Sequence, residues 1–589
     1  MVKKKQKEYT AKEIRTLYGI PARQIYKLFP RPLKKVCVNK RKGYNTYREF
    51  WTEEMIRVAL ERPELSCYVA QKKRKEQDEF NLRRAQAMIE QYSFDGMIRE
   101  AQKKDRVFVL HVGPTNSGKT FDAMEDLKKN QPGTYLGPLR LLALEMYEKL
   151  NAAGIPCTLL TGEEHLPVKN ATSVSSTVEL CDFHAQYKTA VIDEAQLIAD
   201  RERGAAWLKA ICLVNAEVVH ICMSPDALPF LRDLTETIGG KDRICVVEHK
   251  RLAPLRYKGQ CKDYSELKPD DALICFSRKS VLATAAELEK KGIRASVIYG
   301  ALPPEARRNE VKRYINRETT VVVATDAIGM GISLPIHRII FTETEKYDGK
   351  KYRQLTTSEV NQIAGRAGRY GLQEDGEVLV MNDSPLIREL LGRQEPRIRR
   401  PCISFPKEAL SSDVPIESLL HAWQTLPRSP LFDRENMENA YSLYKTLLKM
   451  FPEEFLEKNR DLVFEMITCP CDVKQQELLR YWCRCVGSVL RNEKNGKNSV
   501  PYPCYTLDTL EGCELQYKAY DLRHQILRRL GVEDDCTRER HEICRRIDQL
   551  MKESKEQYIR RCRICGSAIP ANSRIPICRY CSESDYYSY

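Results

Sequence analysis

Gly113, four further residues and then Gly118-Lys119-Thr120 follow directly on the apolar run Val107-Phe108-Val109-Leu110. A buried strand feeding a glycine-rich turn, with a helix-forming segment at Asp122 to Lys128 behind it, is the setting in which backbone N–H groups surround a phosphate chain. Lys119 is then expected on the β- and γ-phosphates and Thr120 on Mg²⁺. A second pair of groups suits the same chemistry. Asp193 and Glu194 stand at the tip of Ala190-Val191-Ile192, one carboxylate to hold the ion through its waters and the other to orient and deprotonate an attacking water. Far along the chain, Cys562-x₂-Cys565 and Cys578-x₂-Cys581, separated by twelve residues, supply four thiolates for tetrahedral Zn²⁺ in a segment poor in core-forming residues. Arg560, Arg561, Arg563, Arg574 and Arg579 beside them leave two readings open, a purely structural ribbon or a nucleic-acid contact.

These groups need a scaffold that presents strand ends. Segments at Thr134 to Gly137, Cys157 to Leu160 and Ala171 to Val174 read as strands, each followed by polar residues, and open parallel sheets place their ligands at that end. A second sheet runs through Leu273 to Phe276, Ala295 to Tyr299, Thr320 to Ala324 and Arg338 to Phe341. It is followed by Gln362-Ile363-Ala364-Gly365-Arg366-Ala367-Gly368-Arg369, whose arginines are expected on one helix face. This half has no P-loop; its expected use is to supply arginines to a nucleotide held by the first. The fold class is therefore read as α/β, with two tandem domains built on parallel sheets at 106–255 and 256–385. A basic helix-turn-helix-like domain (1–65), a helical linker (66–105), a helical C-terminal domain (386–555) and a four-cysteine zinc ribbon (556–589) are expected to flank them.

GPTNSGKT, GPLR, TGE, TVE, DEAQ, ATDAIGMGISL and QIAGRAGR occur in the order and spacing of superfamily 2 DExH-type helicases, which the segment 105–385 resembles. GPTNSGKT, GPLRLLALE and IYGALPPEAR are similar to the RNA helicase of the mitochondrial RNA degradosome and its bacterial relatives. The resemblance implies ATP on Gly113, Thr115, Asn116, Ser117, Gly118, Lys119 and Thr120, with Mg²⁺ served by Thr120 and Asp193. It implies that Gln196 links the nucleotide to the second half, that Gln362, Arg366 and Arg369 close on the γ-phosphate, and that Asp326 and Gly329 lie near the nucleotide. Arg140, Gly162, Thr177, Glu179, Ser277, Gly300 and Thr325 match positions lining a single strand, through its sugar-phosphate backbone and so without sequence preference. One departure is His220-Ile-Cys-Met-Ser224-Pro-Asp226, which stands where many members carry Ser-Ala-Thr. The implied fold of the two sheet domains is RecA-like, and the implied function is an ATP-dependent, 3′-to-5′ RNA helicase, with a nuclease partner implied by family analogy alone. A DNA helicase and an ATP-switched binding clamp that does not unwind are the alternatives.

Charge and composition bound the rest. The net charge is +15, and residues 1–50 hold fifteen Lys/Arg against three Glu, a surplus of twelve that points to a polyanion such as nucleic acid. Within this stretch Ile14, Leu17 and Tyr18, a turn at Gly19, and Ile25, Tyr26, Leu28 and Phe29 resemble a helix-turn-helix half; Tyr44 to Leu60 resembles the wing and following helix of merR-like or winged modules. Amphipathic helices are expected at 416–449, 475–490 and 514–553. No apolar run of about eighteen residues is present, so no membrane span is expected, and the lysine-rich start resembles neither a secretory signal nor a transit peptide. Of the 22 cysteines, Cys212, Cys222, Cys245 and Cys275 are expected as buried reduced thiols. Cys469/Cys471 and Cys483/Cys485 could hold a metal but are read as ordinary thiols. An intracellular, cytoplasmic setting is expected.

Overall fold

The computed structural model describes residues 7–41, 44–91, 94–162, 164–329, 334–348, 351–368, 375–382, 384–427, 429, 431–491, 500–532, 536–553, 559–569, 575 and 577–584. They form two compact units, one made of residues 1–92 with 406–426, the other of 93–405 with 427–589.

The first unit begins with β1 (Glu8–Thr10) and α1 (Ala11–Tyr18). Thr10 and Glu13 cap α1 reciprocally, and Gly19, at φ 72°, takes the left-handed conformation that ends it. Helix α2 (Ala22–Leu28), the antiparallel hairpin of β2 (Lys34–Arg41) and β3 (Tyr44–Thr52), and α3 (Glu53–Leu60) follow. The three strands pair in the order β1-β3-β2. Ile14, Ile25, Trp51 and Ile56 form the core, whereas Leu17 and Tyr26, expected on the packed faces, stay 50% and 58% exposed. Helix α4 (Pro63–Gln91) is long and mostly exposed, and the helix Ile416–Thr425 packs on it.

In the second unit, α5 (Phe94–Gln102) precedes a sheet of eight strands: β4 (Val107–Val112), β5 (Gly133–Gly137), β6 (Cys157–Leu160), β7 (His165–Leu166), β8 (Ser173–Thr177), β9 (Tyr187–Ile192), β10 (Ala216–Met223) and β11 (Ile244–Glu248). Their order is β11-β4-β10-β9-β5-β8-β6-β7, parallel except for β7. The helices are α6 (Lys119–Lys129), α7 (Arg140–Ala152), α8 (Gly204–Leu213) and α9 (Leu228–Gly239). Strand β10 had no place in the sequence reading, yet it lies between the two strands that carry the chemistry. Its register sets Ile221 beside both Leu110 and Ile192, so the loops after β4 and β9 leave the sheet at the same edge. Cys212 and Cys222 are buried, but Cys245 is exposed because β11 is the sheet's outer strand.

The second sheet comprises β12 (Leu255–Gln260), β13 (Asp271–Ile274), β14 (Ala295–Ile298), β15 (Val321–Ala324), β16 (Arg338–Phe341) and β19 (Gly376–Val380), while β17 (Glu345–Tyr347) and β18 (Tyr352–Gln354) form a separate hairpin. It is wholly parallel, in the order β12-β19-β16-β13-β15-β14. Its helices are α10 (Arg278–Lys290), α11 (Pro304–Ile315) and α12 (Thr357–Ala364). β13, β15 and β16 are buried throughout, as parallel strands covered on both faces must be. Helices then predominate: α13 (Leu386–Leu390), α14 (the Ile416–Thr425 helix of the first unit), α15 (Glu438–Leu447), α16 (Glu453–Lys458), α17 (Arg460–Ile467), α18 (Gln476–Arg491), α19 (Leu510–Arg529) and α20 (Thr537–Lys552). α19 and α20 bury Tyr517, Ile543 and Ile547 against residues of α10 and β14.

Candidate nucleotide cleft and strand path

The turn after β4 is built for close approach. Asn116 and Gly118 have φ of 61° and 85°, and a Cβ on Gly113 would lie 2.6 Å from Ser117 Oγ and 2.7 Å from the His249 carbonyl, so that position accepts no side chain without a shift. Lys119 opens α6 and is buried, its Nζ donating to the Pro114 carbonyl at 3.2 Å. Ser117 Oγ is buried without a hydrogen-bond partner. An orphaned hydroxyl, a buried ammonium and a side-chain-free cradle at a helix N-terminus are the donor set a polyphosphate requires.

Asp193 joins this turn from β9. Thr120 Oγ1 donates to its Oδ1 at 3.1 Å and Tyr135 OH to its Oδ2 at 3.0 Å, while Trp207 Nε1 fixes its carbonyl at 2.9 Å. Burial and the neighbouring Glu194 push the Asp193 carboxyl up to about 6, the reverse of what a divalent cation beside it would do. A hydroxyl and a carboxylate oxygen in contact fit the hard-oxygen preference of Mg²⁺. Glu194, at φ 50°, turns out of the strand, and Gln196 bridges its carboxylate and the Ser224 N–H. Gln196 thus ties Asp193-Glu194 to the segment that replaces Ser-Ala-Thr.

From the second sheet, Arg366 reaches the same cleft. It donates from Nε and Nη2 to the Gly329 carbonyl at 3.0 and 2.5 Å and lies within electrostatic reach of Glu194 and Asp193. Gln362 packs near Gly329, and Asp326 pairs with Lys346 at 2.9 Å. The expected continuous helix through Arg366 does not form: α12 stops at Ala364, because Gly365 and then Gly368, at φ 69°, end it. Arg369 lies outside the described residues.

The residues expected along a single strand all occupy the carboxyl edges of the two sheets. Arg140 starts α7 after β5, Gly162 follows β6 and Thr177 ends β8; Ser277, Gly300 and Thr325 follow β13, β14 and β15. Glu179 pairs with Arg203 at 2.7 Å, and Ser277 caps α10 by accepting from Ser280 N at 2.9 Å. The sequence reading missed what faces them. Along α19, Asp521 pairs with Arg140 at 3.5 Å and Gln525 Nε2 donates to the Gly162 carbonyl at 2.6 Å. One end of the same helix holds the second half, Glu514 binding Arg278 at 2.5 Å and Tyr299 OH at 2.7 Å.

Two further features were invisible in sequence. Arg251, in the connection from β11 to β12, contacts the P-loop and the Arg366 turn together. Beneath the P-loop runs a chain of imidazoles: His249 Nε2 to His111 Nδ1 at 3.0 Å, His111 Nε2 to His220 Nδ1 at 2.9 Å, and His220 Nε2 to Asp126 at 2.8 Å. Asp122 lies 3.7 Å beyond His249, so both ends meet α6. Burial and the two flanking rings hold His111 down to about 4.

In the tail, the ligand atoms of Cys562, Cys565, Cys578 and Cys581 all lie within 4.8 Å of one another. Sulfurs around one tetrahedral Zn²⁺ sit ~3.8 Å apart, so the donor set fits. No other such group occurs among the described residues. Cys469 Sγ instead accepts from Arg529 Nη1 at 2.9 Å, and burial pushes Cys471 up to about 12.

Residues 95–249 match the DEXQ-box helicase domain of Suv3, and residues 258–371 match the helicase conserved C-terminal domain. Residues 95–249 and 258–371 are thus similar to the two halves of a superfamily 2, Suv3-type helicase core. Among relatives of this helicase core, the mitochondrial DExH-box ATP-dependent RNA helicase DExH16 of Arabidopsis thaliana is 43% identical over 51% of this chain and 53% of its own length. The mitochondrial ATP-dependent RNA helicase SUV3 of Candida albicans is 41% identical over 49% and 41%, and SUPV3L1 of Homo sapiens 42% identical over 51% and 40%. The chain spans about half the length of the curated relatives it matches. All three are mitochondrial proteins, which overturns the cytoplasmic expectation. Composition could not tell the two compartments apart: reduced thiols suit either, and the lack, among the described residues, of a helix long and apolar enough to cross a membrane says nothing of compartment.

Proposed function

We propose that this chain is an ATP-dependent helicase or translocase on single-stranded nucleic acid, with RNA preferred and 3′-to-5′ movement. The observation that carries the reading is the convergence of Lys119, Thr120, Asp193 and Glu194 from one sheet with Arg366 from the other on a single cleft. In that cleft the P-loop amides and Lys119 bind the phosphates, Glu194 orients and deprotonates water, and Gln362 and Arg366 stabilise charge on the transferred phosphoryl group, a role that the family pattern extends to Arg369. Thr120 and Asp193 would hold Mg²⁺, which would supply charge neutralisation for the phosphates. Gln196 and Ser224 relay the state of Glu194, and the residues at the strand ends hold a sugar-phosphate backbone beneath α19.

The relatives are RNA helicases of mitochondria, which supports RNA as substrate and that organelle as the setting; a nuclease partner rests on the same analogy. We assign residues 1–65, with two short helices, a hairpin and a third helix, as a helix-turn-helix-like nucleic-acid-binding domain, and residues 556–589 as a zinc ribbon. Lys119→Ala and Glu194→Gln are expected to abolish nucleic-acid-stimulated ATPase without loss of fold; unchanged stimulated turnover in either sinks the proposal. Strand displacement on RNA, DNA and hybrid duplexes, read beside ATPase rates, decides the track. Strong ATPase without displacement favours the clamp.

A further inference from the structure

The connection between the two sheets places one arginine where the halves meet. Arg251 Nη1 donates to the Thr115 carbonyl of the P-loop at 2.7 Å and to the Gly365 carbonyl at 3.2 Å, and its Nη2 donates to the Ala367 carbonyl at 2.7 Å. Nε completes the set on Ala253 at 2.6 Å. The guanidinium fork therefore spans the turn that cradles phosphate and the turn that carries Arg366. Two contacts run alongside it: Asn116 Nδ2 donates to the Gly368 carbonyl at 2.6 Å, and Leu252 N to the Asn116 carbonyl at 3.2 Å. The approach is so close that a Cβ on Gly365 would lie 2.8 Å from Thr115 Cβ.

A rigid planar fork suits this task where a lysine does not. Lysine offers a point charge on a flexible stem, whereas arginine aims several N–H groups in fixed directions at separate acceptors. All the acceptors of Arg251 are neutral carbonyls, so its charge has no carboxylate partner among the described residues. Arg366 is close enough to depress its ionisation further, after burial. Two neighbouring cations facing a cleft hold a positive potential that an incoming polyphosphate relieves.

We propose that Arg251 is a positioning residue for ATP hydrolysis, latching the P-loop to the Gly365–Gly368 turn and so setting how Arg366 meets the γ-phosphate. The inference rests on the helicase reading above. It acts through backbone carbonyls of both halves and needs no contact with the nucleotide.

Arg251→Ala and Arg251→Lys are to be compared with the wild type for RNA-stimulated ATPase and, without nucleotide, for amide hydrogen exchange. Misplacing a reacting group by about 1 Å costs roughly 10²-fold in rate; a fall of that order in kcat, with KM for ATP moving far less, is expected in both variants. The lysine does not rescue, because charge alone cannot span three carbonyls. Exchange is expected to quicken in residues 115–118 and 365–368 while β13 and β15 keep their protection, a pattern that a general loss of stability would not give. Wild-type kcat in the alanine variant, or a change confined to KM, overturns the proposal. If the wild type itself shows no stimulated ATPase, the helicase reading fails, and exchange alone decides Arg251: unchanged rates in both segments overturn the latch.

Discussion

His111 sits at the centre of a buried row of imidazoles beneath the P-loop. It hydrogen-bonds His249 and His220, and through them the chain meets Asp122 and Asp126 on the helix that Lys119 opens. Three neutral imidazoles carry three ring protons, one for each short contact, so a further proton must find its place in a buried row where added charge is costly. Because the folded-state ionisation of His111 lies near 4, below the ordinary value of about 6.5, the unfolded chain binds more protons between these limits. Stability is therefore complete above about pH 6.5 and falls as pH drops towards 4. Denaturant unfolding at pH 7.5 and 5 checks this, and His111→Asn is expected to flatten the dependence; equal slopes in the two proteins would show that other groups set it.

At the scale of elements, α19 matters most, for it contacts the strand ends of both halves. Its Asp521 pairs with Arg140, and its Gln525 occupies the Gly162 carbonyl, both of which belong to the proposed backbone path. An ion pair of this partly exposed kind contributes about 0.2–1 kcal/mol. Asp521→Ala is accordingly expected to free Arg140 for phosphate and tighten single-strand binding by about 1.5- to 5-fold, measured by fluorescence anisotropy. Weaker binding would instead mean that Asp521 serves to hold Arg140 in its binding pose. The tail is a second element with its own determinant. Purified protein is expected to carry about one Zn²⁺ per chain, since four clustered thiolates form a closed structural site, and Cys562→Ser is expected to lose it. Elemental analysis reads the metal, and an unchanged main thermal transition would show that the helicase core folds without it.

Over the whole molecule, positive charge dominates, with fifteen Lys/Arg and three Glu in the first fifty residues. Binding through phosphates releases counterions, at about 0.7 per contact on single strands. Removing residues 1–65 is expected to reduce the salt dependence of RNA affinity while leaving stimulated kcat in place; an unchanged slope would remove the first unit from the binding surface. The parts of this protein legible in sequence are those whose chemistry is local. Gly113 to Thr120, Asp193-Glu194 and the paired cysteines each announce themselves because a turn, a strand tip or a knuckle is specified within a few residues, and apolar runs such as Val321-Val322-Val323-Ala324 declare buried parallel strands. Strand β10 is not legible in sequence because a short apolar run has no periodicity of its own and the polar His220, Ser224 and Asp226 lie within it or just after it. The end of α12 at Ala364 is not legible either, because arginines at helical spacing suggest a continuing helix although Gly365 and Gly368 end it. Arg251, the row His249-His111-His220 and the reach of α19 across both halves lay beyond sequence for a simpler reason. Their partners are 109 to 138 residues away for His111 and over 300 for Gln525, and such contacts exist only once the sheets have set strand order and brought distant loops to one edge. Sequence by itself determined a glycine-rich turn after a buried strand, an acidic pair at a second strand tip, an arginine-bearing second half and two pairs of cysteines. Tertiary structure alone decided which arginine joins the halves, which rings underlie the P-loop and which helix meets the strand ends of both sheets, because spatial neighbours at a cleft are chosen by packing and not by spacing along the chain.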